Sequence, residues 1–217
     1  MSNRRNFLIS VTCFLVTLIT ACSRAPISSS TPTPYEEFVP IPQVTLPSDL
    51  NGLITVLRGQ DVEARIQAAR VLANMGPAAE PAVPALTQNL YHDNFEVRRA
   101  AAEALGKIGP AAQSSVPVLI VTLLEDSFVH ARGAAAEALG PIGQTIAVPA
   151  LAAALADPSD SVQVASAISL ASLTGQEFPD LNTKGGYSLN QEGIPIIVAA
   201  AREWWQKEGR YQGWLGK

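Results

Sequence analysis

Cysteine, histidine and aromatic residues are scarce in this chain, and basic residues do not outnumber acidic ones. Of 217 residues, two are Cys, two are His and 6% are aromatic, while 15 Lys and Arg stand against 19 Asp and Glu. Each shortage excludes something. Two histidines, His92 and His130, lack carboxylates at matched spacing and so do not make a metal centre. No Gly-x-Ser-x-Gly turn offers a serine nucleophile. No Gly-rich phosphate cradle follows a strand, because no segment reads convincingly as one. A net charge of −4 leaves no basic footprint for nucleic acid. With 47% hydrophobic residues and few aromatics, the core must be built from Ala, Leu, Val and Ile. Such small side chains let helices pack closely, and the length is sufficient for one domain with a continuous interior.

What is present begins with Arg4 and Arg5, followed by an uncharged apolar run from Phe7 to Ala21. That run is short for a membrane-spanning helix, which needs roughly 17–25 residues, but suits a cleavable leader. Its end, Ile19-Thr20-Ala21-Cys22, resembles a bacterial lipoprotein signal, with Ile19 where the pattern most often has Leu. The resemblance implies cleavage before Cys22 and lipidation of that cysteine. It also accounts for both cysteines, since Cys13 would be discarded with the leader. Cleavage would remove two basic and no acidic residues, taking the net charge from −4 to −6. An uncleaved N-terminal anchor is the alternative, and in either case a membrane surface holds the domain.

From Cys22 to Pro47 the chain is rich in Ser, Thr and Pro, with prolines at 26, 32, 34, 40, 42 and 47. Proline removes backbone donors and fixes φ, so residues 22–47 read as a semi-extended tether. At about 3.1 Å per residue such a tether reaches several tens of ångströms.

Beyond Pro47 an internal repeat governs the sequence. Ala64–Gly76 (ARIQAARVLANMG) recurs at Val97–Gly109 (VRRAAAEALGKIG), at Ala131–Gly143 (ARGAAAEALGPIG) and, decayed, at Val162–Thr174. A second motif keeps step: VPAL at Val83, VPVL at Val116, VPAL at Val148 and IPII at Ile194. Pro84, Pro117 and Pro149 stand near helix starts, where a missing N–H costs nothing. Asp61, Asn94 and Ser159 are predicted N-caps of the second helices, a role Phe128 cannot play. Val97, Ala101, Leu105 and Ile108 form an apolar stripe at helical spacing, and Gly76, Gly109 and Gly143 end each second helix. The units predicted are 48–76, 82–109, 115–143 and 147–174. A helical hairpin of this size cannot enclose its own apolar face, so the hairpins must stack.

The strings AAAEALGKIG and AAAEALGPIG, with VP-x-L, resemble HEAT repeats of the phycobilisome-lyase-like class over residues 48–174. The resemblance implies an all-α, short right-handed α-solenoid of about four helical hairpins. That family includes bilin lyases, chaperone-like adaptors and an iron-dependent hydroxylase of a modified lysine, so the fold does not fix the activity. The hydroxylase would need repeated His-Glu pairs, whereas this chain has His92-Asp93 and His130-Ala131.

Past Thr174 a polar, glycine-rich loop (175–193, with Tyr187) leads to IPIIVAAAREWWQKEG, a final helix and tail over 194–217. Ile194, Ile197, Val198, Ala201 and Trp205 are expected to cover the open end of the array, with Arg202, Glu203 and Gln206 toward water. Trp204 and Trp205 read as part of this lid, or alternatively as a recognition patch.

Two lines of residues mark the second helices. Arg65, Arg98, Arg132 and Gln163 open them and are expected to link neighbouring units. A more exposed line runs Ile66, Arg70, Asn74, then Arg99, Glu103, Lys107, then Gly133, Glu137, Pro141, then Val164, Ile168, Ser172. Second helices line the concave face in this class of fold, so Arg70, Arg99, Glu103, Lys107, Glu137 and Ile168 are the candidate binding face for an extended peptide or helix. The resulting expectation is a non-catalytic scaffold or adaptor without cofactor or metal. It would sit in the bacterial cell envelope, facing the periplasm or exterior, bound to a protein or peptide partner and to the membrane through lipidated Cys22. The alternative is a bilin lyase-like or oxidoreductase member of the same family.

Overall fold

The computed structural model describes residues 45–178 and 193–213. The leader, Cys22, most of the tether, Tyr187 and its loop, and Trp214 lie outside the described residues. Four helical hairpins follow one another: α1 (Leu50–Leu57) with α2 (Val62–Met75), α3 (Val83–Asn89) with α4 (Phe95–Ile108), α5 (Val116–Glu125) with α6 (Val129–Ile142), and α7 (Val148–Ala154) with α8 (Asp160–Thr174). A last helix, α9 (Gly193–Lys207), packs on α8 and reaches α7. Among the described residues there is no strand, and the architecture is an all-α solenoid.

Local chemistry explains the boundaries. Pro84, Pro117 and Pro149 sit in the first turns of α3, α5 and α7. The second helices stop where glycine takes positive φ: 57° at Gly76, 74° at Gly109, 80° at Gly143 and 70° at Gly175. The first two glycines feed 3-10 stretches, Gly76–Ala82 and Gly109–Ser115, that carry the chain to the next hairpin.

N-capping follows expectation at two of three positions. The Asp61 carboxylate accepts from the Ala64 N–H and the Asn94 amide oxygen from the Glu96 N–H. Ser159 occupies the cap position of α8 but does not cap it, because its hydroxyl pairs with Ser161. Phe128, at the corresponding place, stacks on Phe95 with ring centroids 4.6 Å apart.

Burial gives the array its cohesion. Leu53, Leu72, Leu86, Leu105, Leu139 and Leu151 are fully enclosed, in one interior that runs through all four hairpins. Each such leucine contributes about 2 kcal/mol of transfer free energy. Second helices meet their neighbours through small residues. A Cβ added to Gly106 would lie 2.8 Å from the Ala138 Cα, and one on Gly140 would lie 2.9 Å from the Ser169 hydroxyl. The row α2–α4–α6–α8 is therefore packed much more closely than the row of first helices. These second helices form the inner row of the array, the row expected from the sequence to line its concave face.

The C-terminal lid differs in one respect from the sequence expectation. Ile197, Val198, Ala201 and Trp204 are buried, whereas Trp205 is only half-buried. Trp204 meets the buried Phe178 ring edge-on at 6.1 Å. Arg202 is exposed, as expected, and also donates from Nε and Nη2 to the Leu155 carbonyl and reaches the Gln163 side chain. The helix end of α7 leaves that carbonyl without an intrahelical partner, and a guanidinium satisfies it.

Candidate functional site

The turns joining the two helices of each hairpin carry a polar ladder. Arg65, Arg98, Arg132 and Gln163 each donate to the carbonyl six residues earlier: Gly59 (2.6 Å), His92 (2.7 Å), Asp126 (2.9 Å) and Asp157 (2.6 Å). The rungs between hairpins are made by carboxylates. Asp126 accepts Nε and Nη2 of Arg98 at 2.6 and 2.8 Å, and Asp157 accepts the same pair from Arg132 at 2.7 and 3.0 Å. Each aspartate also accepts the N–H two residues ahead, at Phe128 and Ser159. Burial pushes both carboxyls up, but the arginine and N–H bonds outweigh it and hold them below the usual aspartate value. This arginine column thus links units, as expected. From the sequence Asp126 reads as solvated turn surface and Asp157 is not singled out, but both stand two residues before a helix cap and are paired to arginine.

The candidate binding face lies on the inner row. Arg70, Asn74, Glu103, Lys107 and Glu137 surround a depression of about 440 Å³ between α2 and α4. A smaller one of about 150 Å³ lies between α4 and α6, floored by Gly106, Ala134 and Ala138 and rimmed by Glu103, Lys107, Glu137 and Pro141. Four of the six residues picked from the sequence therefore converge. Arg99 is tied instead within its own helix, to Glu96 at 2.7 Å and Glu103 at 2.6 Å, and reaches the site only through Glu103. Ile168 is half-buried on α8 and lines neither depression. Cys22, the lipidation candidate, lies outside the described residues.

Two members of the exposed line are in fact enclosed. Ile66 is 6% exposed and Val164 8%, so both belong to the packed array. In contrast, the site of Gly133 is open, with no atom within 4 Å of where its Cβ would be.

Charge in the groove is incompletely paired. Among the described residues Arg70, Lys107 and Glu137 form no ion pair. Crowding by the protein, then the neighbouring Glu103 carboxylate, push Glu137 above the usual glutamate value, while Lys107 pulls the other way. Among the described residues no three His, Cys, Asp or Glu side chains stand close enough together to hold a metal ion. His92 accepts the Asn94 N–H on its Nδ1, and His130 lies beside the Phe95 ring.

The comparisons with known proteins agree with this architecture. The sequence pattern of HEAT repeats matches residues 50–120 and 112–171. Human deoxyhypusine hydroxylase, solved in complex with glycerol, is similar over 60% of this chain, with 26% identity and a TM-score of 0.51. The chain spans only 45% of that protein's length. The complex of CpcE and CpcF of phycocyanin lyase from Nostoc is similar over 70% of this chain and 97% of its own (22% identity, TM-score 0.50). A designed armadillo-repeat protein in complex with the peptide (KR)4 is similar over 71% of this chain and 80% of its own (17% identity, TM-score 0.50). No curated protein matches the chain.

Proposed function

The chain belongs to the HEAT-repeat family, and on that premise we propose that it is a lipid-anchored, non-catalytic scaffold that holds a protein or peptide partner of the cell envelope along its inner helix row. The observation that carries this reading is the pair of adjoining depressions whose rims present Arg70, Lys107 and Glu137 without ion-pair partners among the described residues. Charges of both signs, set over a floor of Gly and Ala, suit a segment that carries complementary charges and small apolar contacts. Such repeats generally bind protein or peptide partners, and the (KR)4 complex of the armadillo relative is an instance on a similar array. Arg4, Arg5, the apolar run and Cys22 support the anchor and a position facing the periplasm or exterior.

The reading is checked in cells with the full-length chain. A photo-crosslinking residue in place of Lys107 should give a discrete adduct, and one in place of Val121, exposed on the outer helix row, should not. Reversing Arg70 or Glu137 should abolish the first adduct, and Cys22→Ser should release the chain from the membrane fraction. Equal labelling from both rows, or adducts indifferent to the reversals, would remove the groove from the account.

A further inference from the structure

The ladder is regular except at its first rung. The column that supplies Asp126 to Arg98 and Asp157 to Arg132 holds His92 in the second hairpin, since all three accept the N–H two residues ahead. Arg65, which this column should serve, consequently has no carboxylate. Its Nε goes to the Gly59 carbonyl and its Nη1 to the side-chain oxygen of Asn89, a neutral residue that is 2% exposed. Nη2, the atom that completes the fork in Arg98 and Arg132, has no partner among the described residues.

Space accompanies the missing charge. A depression of about 500 Å³ opens at this rung, lined by Arg58, Arg65, Gln88, Tyr91, His92 and Asp93. With Nδ1 of His92 engaged as an acceptor, the ring in its neutral form carries its proton on Nε2 and is a donor there. Arg58 and Gln88 are exposed, and Tyr91 retains 66% of its surface. Asp93 is the one carboxylate on the wall, and its charge acts on Arg98, the next arginine of the column. The wall therefore offers two guanidinium groups, an imidazole N–H and an amide at a position that two neighbouring units fill with aspartate.

We propose that this first rung is a binding site for an acidic side chain of a partner protein, which enters as the aspartate that the second hairpin lacks. The repeat itself identifies the chemistry: the same arginine column closes on a planar carboxylate by two parallel N–H bonds wherever one is supplied. The site lies on the turn edge, apart from the inner-row groove, and stands or falls independently of it.

The two histidines make the test direct. In the full-length chain labelled at histidine, acetyl-Gly-Asp-Gly-amide should shift the NMR signals of His92 and leave those of His130 in place, while the Asn counterpart at the same salt should shift neither. Arg65→Gln copies Gln163, which keeps the carbonyl bond of its column, so that bond is available while the cation is lost, and circular dichroism of the variant checks that it folds. This variant should weaken the acidic tripeptide about tenfold or more. His92→Asp should fill the site from within, raising the melting temperature and cancelling any further rise caused by the tripeptide. An Asn tripeptide that moves His92 as far as the Asp one would overturn the proposal, as would an Arg65→Gln chain that binds unchanged. Binding of inorganic phosphate without binding of the tripeptide would also overturn it, by assigning the site to a free anion.

Discussion

The Asp126 carboxylate lies in a fork formed by Arg98 of the preceding hairpin, with Nε 2.6 Å from one oxygen and Nη2 2.8 Å from the other. The side chains are 12% and 5% exposed, so the pair is largely shielded from water. Removing one partner strands the other, and Asp126→Ala should cost about 3–5 kcal/mol of folding stability in a denaturant melt. The pH dependence follows from the lowered carboxyls of Asp126 and Asp157. Their contribution is complete above the unfolded aspartate value of 3.8 and is lost as pH falls through the lower folded values. The wild-type melting temperature should therefore drop more steeply below pH 4 than that of Asp126→Asn.

Glu137 has the opposite sign. Its carboxyl is raised above the ordinary 4.5, so between that value and the folded one the native state holds a proton the unfolded chain has released. Stability falls as pH rises across that window, and the penalty persists above it. Glu137→Gln should melt higher than wild type at pH 7, and the advantage should vanish below pH 4.5.

Two glycines within second helices should respond in opposite directions. Gly106→Ala drives a methyl to 2.8 Å from the Ala138 backbone and should cost about 1–3 kcal/mol. Gly133→Ala meets open space within α6 and should gain about 0.5–1 kcal/mol from helix propensity. Chemical denaturation of the two variants beside wild type measures both.

The lid makes a similar distinction. Trp204 is 8% exposed and contacts Phe178, so Trp204→Ala should cost about 3–5 kcal/mol. The half-buried Trp205 should cost less than half as much on the same substitution, as read by thermal melts.

Repetition made the hairpins legible: VP pairs, terminal glycines and the Ala-rich helices recur at fixed spacing, and periodicity of that kind survives without coordinates. The arginine column was legible for the same reason. The facing column was not, because Asp126, Asp157 and His92 fall in turns, where the chain is read by position relative to a cap and the motif letters differ. Ile66 and Val164 were misplaced because a helix packed on several sides has no fully exposed line, and sequence spacing does not reveal how closely the next helix approaches. Arg202 is exposed as expected, but its bond to the Leu155 carbonyl was not legible, because only the stacking of α9 on the fourth hairpin brings that carbonyl near. The roles of Trp204 and Trp205 depend on the rotation of α9, which adjacent tryptophans leave undetermined.

The whole account rests on hairpins that share one interior, and native-state hydrogen exchange on the full-length chain measures this directly. Leu105→Ala empties a fully enclosed position in α4. In a shared interior the amides of α2 and α6 lose protection together with those of α4, because each second helix is supported by its neighbours. Loss confined to α3 and α4, with α2 and α6 protected as in wild type, would contradict it.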